Sequence, residues 1–260
     1  MYPILFTWGP LQLHTYAVTM AMGFMAGILL GNYRVEKRGI DLQKVLNLEV
    51  VLILAGIGGS RLMFVILEWD WYRNHLLDIP LFWKGGLVYY GGFLVALVSC
   101  LAYCRIVGLP MLQCSDIAAP SVVVGQFFGR IGCLFGGCCY GAVTDLPWGM
   151  RFPATTNDNL KHHPTQIYEM ALLAAIFAIL HRYYDKKDRS EGTVMVMYGY
   201  LYGIARFTVE IWRGDDRGGF FFGGFSIGQC VSVAVIVVAL GAHAFLVWLH
   251  RRAKAREFAH

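Results

Sequence analysis

Seven apolar stretches, each close to the length that crosses a bilayer, constrain this chain more than any other feature. About 20 apolar residues span a hydrocarbon core as a helix, because no water is present there to satisfy an open backbone. The stretches run Tyr16–Tyr33, Leu46–Leu67, Leu87–Val107, Ile117–Phe135, Thr165–Tyr183, Thr193–Trp212 and Phe225–Leu249. They predict an all-α integral membrane protein of about seven transmembrane helices, with residues 1–260 forming a single polytopic membrane domain. Only 15% of the residues are charged, against about 25% in soluble domains. The net charge of +5 is spread in short runs between apolar segments, a pattern that points away from nucleic acid. Met1–Leu13 lacks the basic region and the Ala-x-Ala site of a cleaved signal.

The basic residues also set an orientation. Thirteen of the 22 Lys and Arg fall between Arg34 and Lys44, at Arg105, between Arg182 and Arg189, and after the last stretch. Six fall in the alternate connections. The positive-inside rule then predicts an N-terminus outside and a C-terminus in the cytoplasm. The outer side receives Glu68–Trp83, rich in Trp and Tyr, residues 140–164 as the main periplasmic or extracellular loop region, and the glycine-rich Arg213–Gly224. Together they predict a small loop head.

Three stretches carry candidate chemistry. Gly129-Arg130-Ile131-Gly132-Cys133 puts an arginine into apolar surroundings with no acid within four residues. Insertion at the centre of a helix costs about 2.5–3.5 kcal/mol, so such a residue needs a partner or a ligand. Glu169, about one turn into the fifth stretch, and Glu210 are the candidate partners. Tyr198, Tyr202, Arg206, Glu210 and Arg213 recur at helical spacing and share one face. They read either as a self-neutralised pair or as a polar stripe whose remaining guanidinium donors grip an anion bidentately. Convergence of Arg130, Arg206 and Arg61 predicts an excess of positive charge and a phosphate ligand, met at that depth as an anionic lipid headgroup.

Other features have milder readings. Tyr16, Tyr89 and Tyr90 suit interface anchors, and Tyr90 is also predicted to line the cavity. His162 and His163 suit a polar helix entrance. Of the seven cysteines, Cys133, Cys138 and Cys139 read first as small buried thiols. A disulfide from Cys133 to Cys138 or Cys139, and a zinc set with His162 and His163, are the alternatives. The spacing is not a Cys-x-x-Cys pair, so no metal is expected.

Gly129-Arg130-Ile131-Gly132 with its glycine-rich exit, His163-Pro164-Thr165-Gln166-Ile167-Tyr168-Glu169, and Tyr202-Gly203 through Arg206-Phe207 to Glu210 and Arg213 resemble the signatures of the prolipoprotein diacylglyceryl transferases. Trp83–Gly92, Arg61 in Gly59-Ser60-Arg61-Leu62 and Tyr16 also fall where that family's motifs fall. The resemblance covers nearly the whole chain and implies transfer of the diacylglyceryl group of phosphatidylglycerol to the lipobox cysteine of a prolipoprotein signal peptide. A thioether forms and glycerol-1-phosphate leaves, without metal or organic cofactor, in a multi-pass protein of the bacterial cytoplasmic (inner) membrane.

The resemblance assigns catalysis to Tyr90, Arg130, Glu169, Arg206 and Glu210. It assigns substrate binding to Tyr16, Arg61, Gly91, Gly92, Gly129, Cys133, Cys138, Gly141, His163, Tyr202 and Arg213. Three positions depart from the family's pattern: Tyr90 stands for its usual histidine, Cys133 for asparagine and Cys138 for glutamate. A phenol has a pKa near 10, against about 6.5 for imidazole, so Glu169, Glu210 or His163 are the alternative bases, with Tyr90 as hydrogen-bond donor. Two other functions stay open: a phospholipid-dependent transferase with another acceptor, and a non-catalytic lipid- or lipoprotein-binding membrane protein.

Overall fold

The structure, a computed structural model, describes the chain except residues 1, 10, 154, 157–158, 187–188, 215–219, 222–224 and 258–260. Most of the predicted Arg213–Gly224 loop therefore lies outside the described residues. An antiparallel hairpin, β1 (Ile4–Trp8) and β2 (Leu11–His14), leads into α1 (Thr15–Lys37). Next come α2 (Leu42–Leu67), the single turn α3 (Trp69–Tyr72), α4 (Tyr89–Val107) and α5 (Met111–Gly136). The chain continues through α6 (Thr165–Tyr184), α7 (Thr193–Glu210), the short pair β3 (Phe220–Phe221) and β4 (Phe225–Ser226), and α8 (Ile227–Glu257).

Each of the seven apolar stretches is a helix. Six of them (α1, α2, α4, α5, α6 and α8) are long and apolar enough to cross a membrane. The exception, α7, has 18 residues and carries the tyrosine, arginine and glutamate stripe that lowers its hydropathy. The two strand pairs escaped the sequence reading, because strands of two to five residues leave little periodic signal beside spans of about 20 residues.

The contacts divide the chain into two compact units, Met1–Gly31 with Ser115–His260, and Asn32–Cys114. In the second unit α2 and α4 pack through glycine. A Cβ on Gly91 would lie 2.5 Å from the Gly59 carbonyl oxygen, and one on Gly92 would lie 2.6 Å from that of Gly56. Small residues on both helices let the backbones meet, which is how helices associate where lipid removes the hydrophobic drive. In the first unit α1 meets α5 the same way: a Cβ on Gly27 would stand 3.0 Å from the Ser121 carbonyl oxygen.

A buried carboxylate organises the opposite end of the first unit from the loop at residues 140–164. Gly192 precedes α7 and offers no capping side chain. Asp116 of α5 caps it instead, accepting from the backbone N–H of Gly192 (2.8 Å), Val194 (2.9 Å) and Met195 (3.2 Å). Arg189 neutralises it and also donates to the Tyr184 carbonyl at 2.8 Å. The pair ties α5, α6 and α7 together where orphan N–H groups would otherwise be buried. Asp116→Ala is expected to cost about 3–5 kcal/mol, because it strands a buried guanidinium and three N–H groups. Asp116→Asn, which keeps an acceptor, is expected to cost less. Unfolding of the detergent-solubilised protein measures both.

Candidate active site

The site is built where the end of α5, the start of α6 and the end of α7 meet in the first unit. Glu169, one turn into α6, is its hub. Its Oε2 pairs with Arg130 Nε from α5, and its Oε1 stands 3.3 Å from Arg213 Nη1 and 3.7 Å from Arg206 Nη1. Glu210 takes the other side: its Oε2 lies 2.5 Å from Arg206 Nη1 and 3.9 Å from Arg213 Nε. Arg206 and Glu210 approach as ions without the angle of a directed hydrogen bond, whereas the Ser226 hydroxyl donates to Glu210 Oε1 at 2.9 Å.

Three guanidinium groups thus meet two carboxylates among the described residues. It is deeply placed: the side chains of Arg213, Glu210 and Glu169 are 3%, 7% and 9% exposed. Arg206 at 14% and Arg130 at 22% are the more accessible members. Burial strengthens every charge term here, since the local dielectric is far below that of water. The arrangement suits an anion that approaches from the Arg130 and Arg206 side.

Secondary features hold these groups in place. The i,i+4 spacing brings Glu210 onto Arg206 within α7, as the stripe predicts. Arg213 lies beyond that helix and is placed by chain pairing: Gly141 bridges to it, the Ala142 N–H donates to the Trp212 carbonyl at 2.9 Å, and the Gly141 N–H donates to the His163 carbonyl at 2.8 Å. A Cβ at Gly141 would fall 2.3 Å from the Trp212 carbonyl oxygen, so only glycine permits this approach. Gly228, at the start of α8, is constrained likewise, its missing Cβ 2.3 Å from Glu210 Oε1.

The remaining expected residues fall as follows. Tyr16 packs over Gly132, whose missing Cβ would be 2.9 Å from its ring, and it lies within electrostatic range of Arg130 and the three clustered cysteines. Gly129 faces Met20 at 3.3 Å. Tyr202 stacks on Tyr198 at 5.5 Å and interacts with Arg130. His163 Nδ1 lies 3.2 Å from the Tyr168 hydroxyl, which accepts from Trp148 Nε1 at 2.9 Å. His162 is buried, with Nδ1 donating to the Gly141 carbonyl at 3.0 Å.

Just past α5, the backbones of Cys138 and Cys139 accept from Gln166 Nε2 (2.7 Å) and Thr165 Oγ1 (2.6 Å). The Cys138 thiol donates to the Cys133 carbonyl at 3.7 Å.

Arg61, Tyr90, Gly91 and Gly92 belong to the second unit. Arg61 is 7% exposed and fully engaged. It donates to the carbonyls of Ile79 (2.8 Å), Asp78 (2.7 Å), Gly85 (2.7 Å) and Gly86 (3.2 Å), and its guanidinium lies 5.2 Å from the Tyr72 ring. It therefore folds the Leu76–Gly86 segment onto α2. Tyr90 sits in the first turn of α4, exposed, with its ring edge-on to Tyr89. The sequence reading missed Thr165, Gln166 and Ser226; the first two lie inside a quoted motif, and Ser226 carries no local signal.

Glu169→Gln keeps the shape of the hub and removes the charge shared by three arginines. It is expected to lower the melting temperature in detergent. Added inorganic phosphate is expected to raise the variant's melting temperature more than that of the wild type, because the anion replaces the missing charge. Equal shifts would separate the cluster from anion binding.

The chain is similar to known proteins over nearly its whole length. Residues 3–247 match the family described as prolipoprotein diacylglyceryl transferase. The chain is 36% identical over 255 residues to the phosphatidylglycerol–prolipoprotein diacylglyceryl transferase of Nitrosomonas europaea, covering 96% of this chain and 90% of the relative. It is 33% identical over 245 residues to that of Clostridium tetani, covering 92% and 96%. With Chromobacterium violaceum the identity is 33% over 278 residues, covering 96% of each. A match over almost the entire chain means that this helical membrane protein belongs to the prolipoprotein diacylglyceryl transferase family.

Proposed function

We propose that this protein transfers the sn-1,2-diacylglyceryl group of phosphatidylglycerol to the lipobox cysteine of prolipoproteins in a bacterial cytoplasmic membrane. The observation that carries the reading is the convergence of Arg130, Arg206 and Arg213 on Glu169 and Glu210, with Arg130 and Arg206 the more accessible guanidinium groups. The reaction breaks a carbon–oxygen bond and leaves a second negative charge on the departing glycerol phosphate. Guanidinium groups already oriented toward a phosphate stabilise that charge as it develops, without reorganising.

Roles follow from the contacts. Arg130 and Arg206, the more accessible arginines, hold the phosphodiester. Glu169 and Glu210 orient the guanidinium groups, since their oxygens are occupied by them. Arg213 is locked between both carboxylates and supplies background potential. Tyr16 and Tyr202 flank Arg130. Arg61 acts at one remove by shaping its segment, and the family resemblance assigns Tyr90 the part of hydrogen-bond donor. Seven spans with the N-terminus outside would put the cluster toward the outer leaflet, where a signal peptide presents its cysteine. Two membrane-held substrates leave positioning to supply much of the rate.

Arg130→Ala and Arg206→Ala are each expected to lower transfer by about 100-fold or more, the loss seen when a preorganised oxyanion donor is removed. The assay uses purified protein in phosphatidylglycerol vesicles with a lipobox peptide. Full activity in folded variants would contradict the assignment. Complementation of a strain depleted of its own transferase distinguishes this function from the alternatives. Tyr90→Phe is expected to retain binding of phosphatidylglycerol and to lower the turnover rate by about 10-fold, read in the same vesicles.

A further inference from the structure

One face of α5 runs through the interior of the first unit. Asp116, Ala119 and Val123 lie along it, each fully buried, and Gln126 and Arg130 continue the same spacing of three and four residues. The neighbouring row turns to α1 instead. A Cβ on Gly23 would stand 3.1 Å from the Gly125 carbonyl oxygen, Gly129 faces Met20 at 3.3 Å, and Gly132 faces Thr19 Oγ1 at 2.4 Å. On the interior row Arg130 finds Glu169. Gln126, one turn further from the charged cluster, finds no such match. Its Oε1 is buried with no hydrogen-bond partner among the described residues. A polar group left unpaired in apolar surroundings is costly, and a hydrocarbon side chain of the same size avoids that cost. An orphaned amide beside a substrate-binding arginine therefore points to a ligand that completes it.

We propose that Gln126 is a further substrate-binding residue, one that recognises an acyl ester of the diacylglyceryl group being transferred. The inference rests on diacylglyceryl transfer from phosphatidylglycerol and deepens it. Arg130 and Arg206 hold the phosphate in that reading. Four residues back along α5 is a drop of about 6 Å toward the middle of the helix. The ester carbonyls of a glycerophospholipid lie a few bonds below its phosphate, on the side of the acyl chains. Tyr202 of α7 marks the same level from across the site: it precedes Arg206 by one turn, stacks on Tyr198 and interacts with Arg130.

The chemistry of the pair is matched. An ester carbonyl accepts hydrogen bonds and donates none, while a glutamine amide carries two N–H donors beside its oxygen. An amide unpaired at its oxygen can turn its nitrogen to the ligand. The ester nearest the reaction sits on the glyceryl carbon next to the one that gives up its phosphate oxygen. A hydrogen bond there, with the phosphate held by the arginines, fixes the reacting carbon from both sides. It also gives the site a way to read its lipid. A diether analogue has the same phosphate, charge and chain length but no carbonyl, and it leaves the amide unpaired. A site built around a polar group discriminates against a ligand that lacks the partner.

The test places the full chain in vesicles of a zwitterionic lipid that carry either diester phosphatidylglycerol or its diether analogue, and measures kcat/KM for transfer to the lipobox peptide. The wild type is expected to favour the diester by at least about 10-fold. Gln126→Met should lose about 10-fold on the diester and stay within about 2-fold of the wild type on the diether, so that the preference collapses. Its melting temperature in detergent should equal or exceed that of the wild type, because the substitution removes an unsatisfied buried group; a purely structural glutamine would give the opposite shift. Gln126→Leu should behave alike. Equal use of the two lipids by the wild type, equal losses on both in the variants, or unchanged transfer of the diester would overturn the assignment and leave the transferase reading standing. A folded wild type that transfers from neither lipid would sink that reading and this inference with it.

Discussion

The structure depends on one carboxylate. Glu169 receives guanidinium groups from α5, from α7 and from the turn that follows α7. Removing water from five charged side chains is expensive, and the mutual attraction of a buried cluster at best offsets that cost. The cluster is therefore weak as a source of stability and strong as a device for orientation. With Glu210 as the second anion, it sets three guanidinium groups against two carboxylates among the described residues, and a phosphodiester headgroup is the ligand proposed for them. The glycines at 141 and 228 belong to the same design, because each lets backbone or carboxylate come closer than a Cβ allows.

Much of this was legible in the sequence. The apolar stretches were visible because about 20 apolar residues in a row have few soluble explanations, and all seven are helices, six of them long and apolar enough to cross a membrane. The Arg206–Glu210 contact was legible because i,i+4 geometry needs only one helix. Glu169 was reachable as a partner for Arg130 by elimination, since a buried arginine requires a counter-charge and few acids lie in the apolar segments. Local pattern and the scarcity of charge sufficed for these.

What stayed hidden depends on long-range chain pairing. The place of Arg213 is set by a bridge to Gly141, 72 positions away, and no periodicity encodes it. The four carbonyls around Arg61 come from an irregular segment; the sequence showed a buried arginine and suggested an anion, where backbone oxygens in fact engage it. The convergence of the Cys133, Cys138 and Cys139 sulfurs was hidden likewise, because it depends on the left-handed residues Gly137 and Cys139 after α5. The cap on α7 by Asp116 is similar, a helix start completed by a residue from another helix.

The central claim is that Arg130 and Arg206 hold the phosphate of phosphatidylglycerol. An experimental structure of the protein with that lipid bound tests it most directly. The account predicts phosphate oxygens within about 3 Å of guanidinium nitrogens of both Arg130 and Arg206, with Glu169 and Glu210 still holding the same groups from behind. A headgroup seated elsewhere, with Arg130 and Arg206 contacting only the two carboxylates, would contradict it.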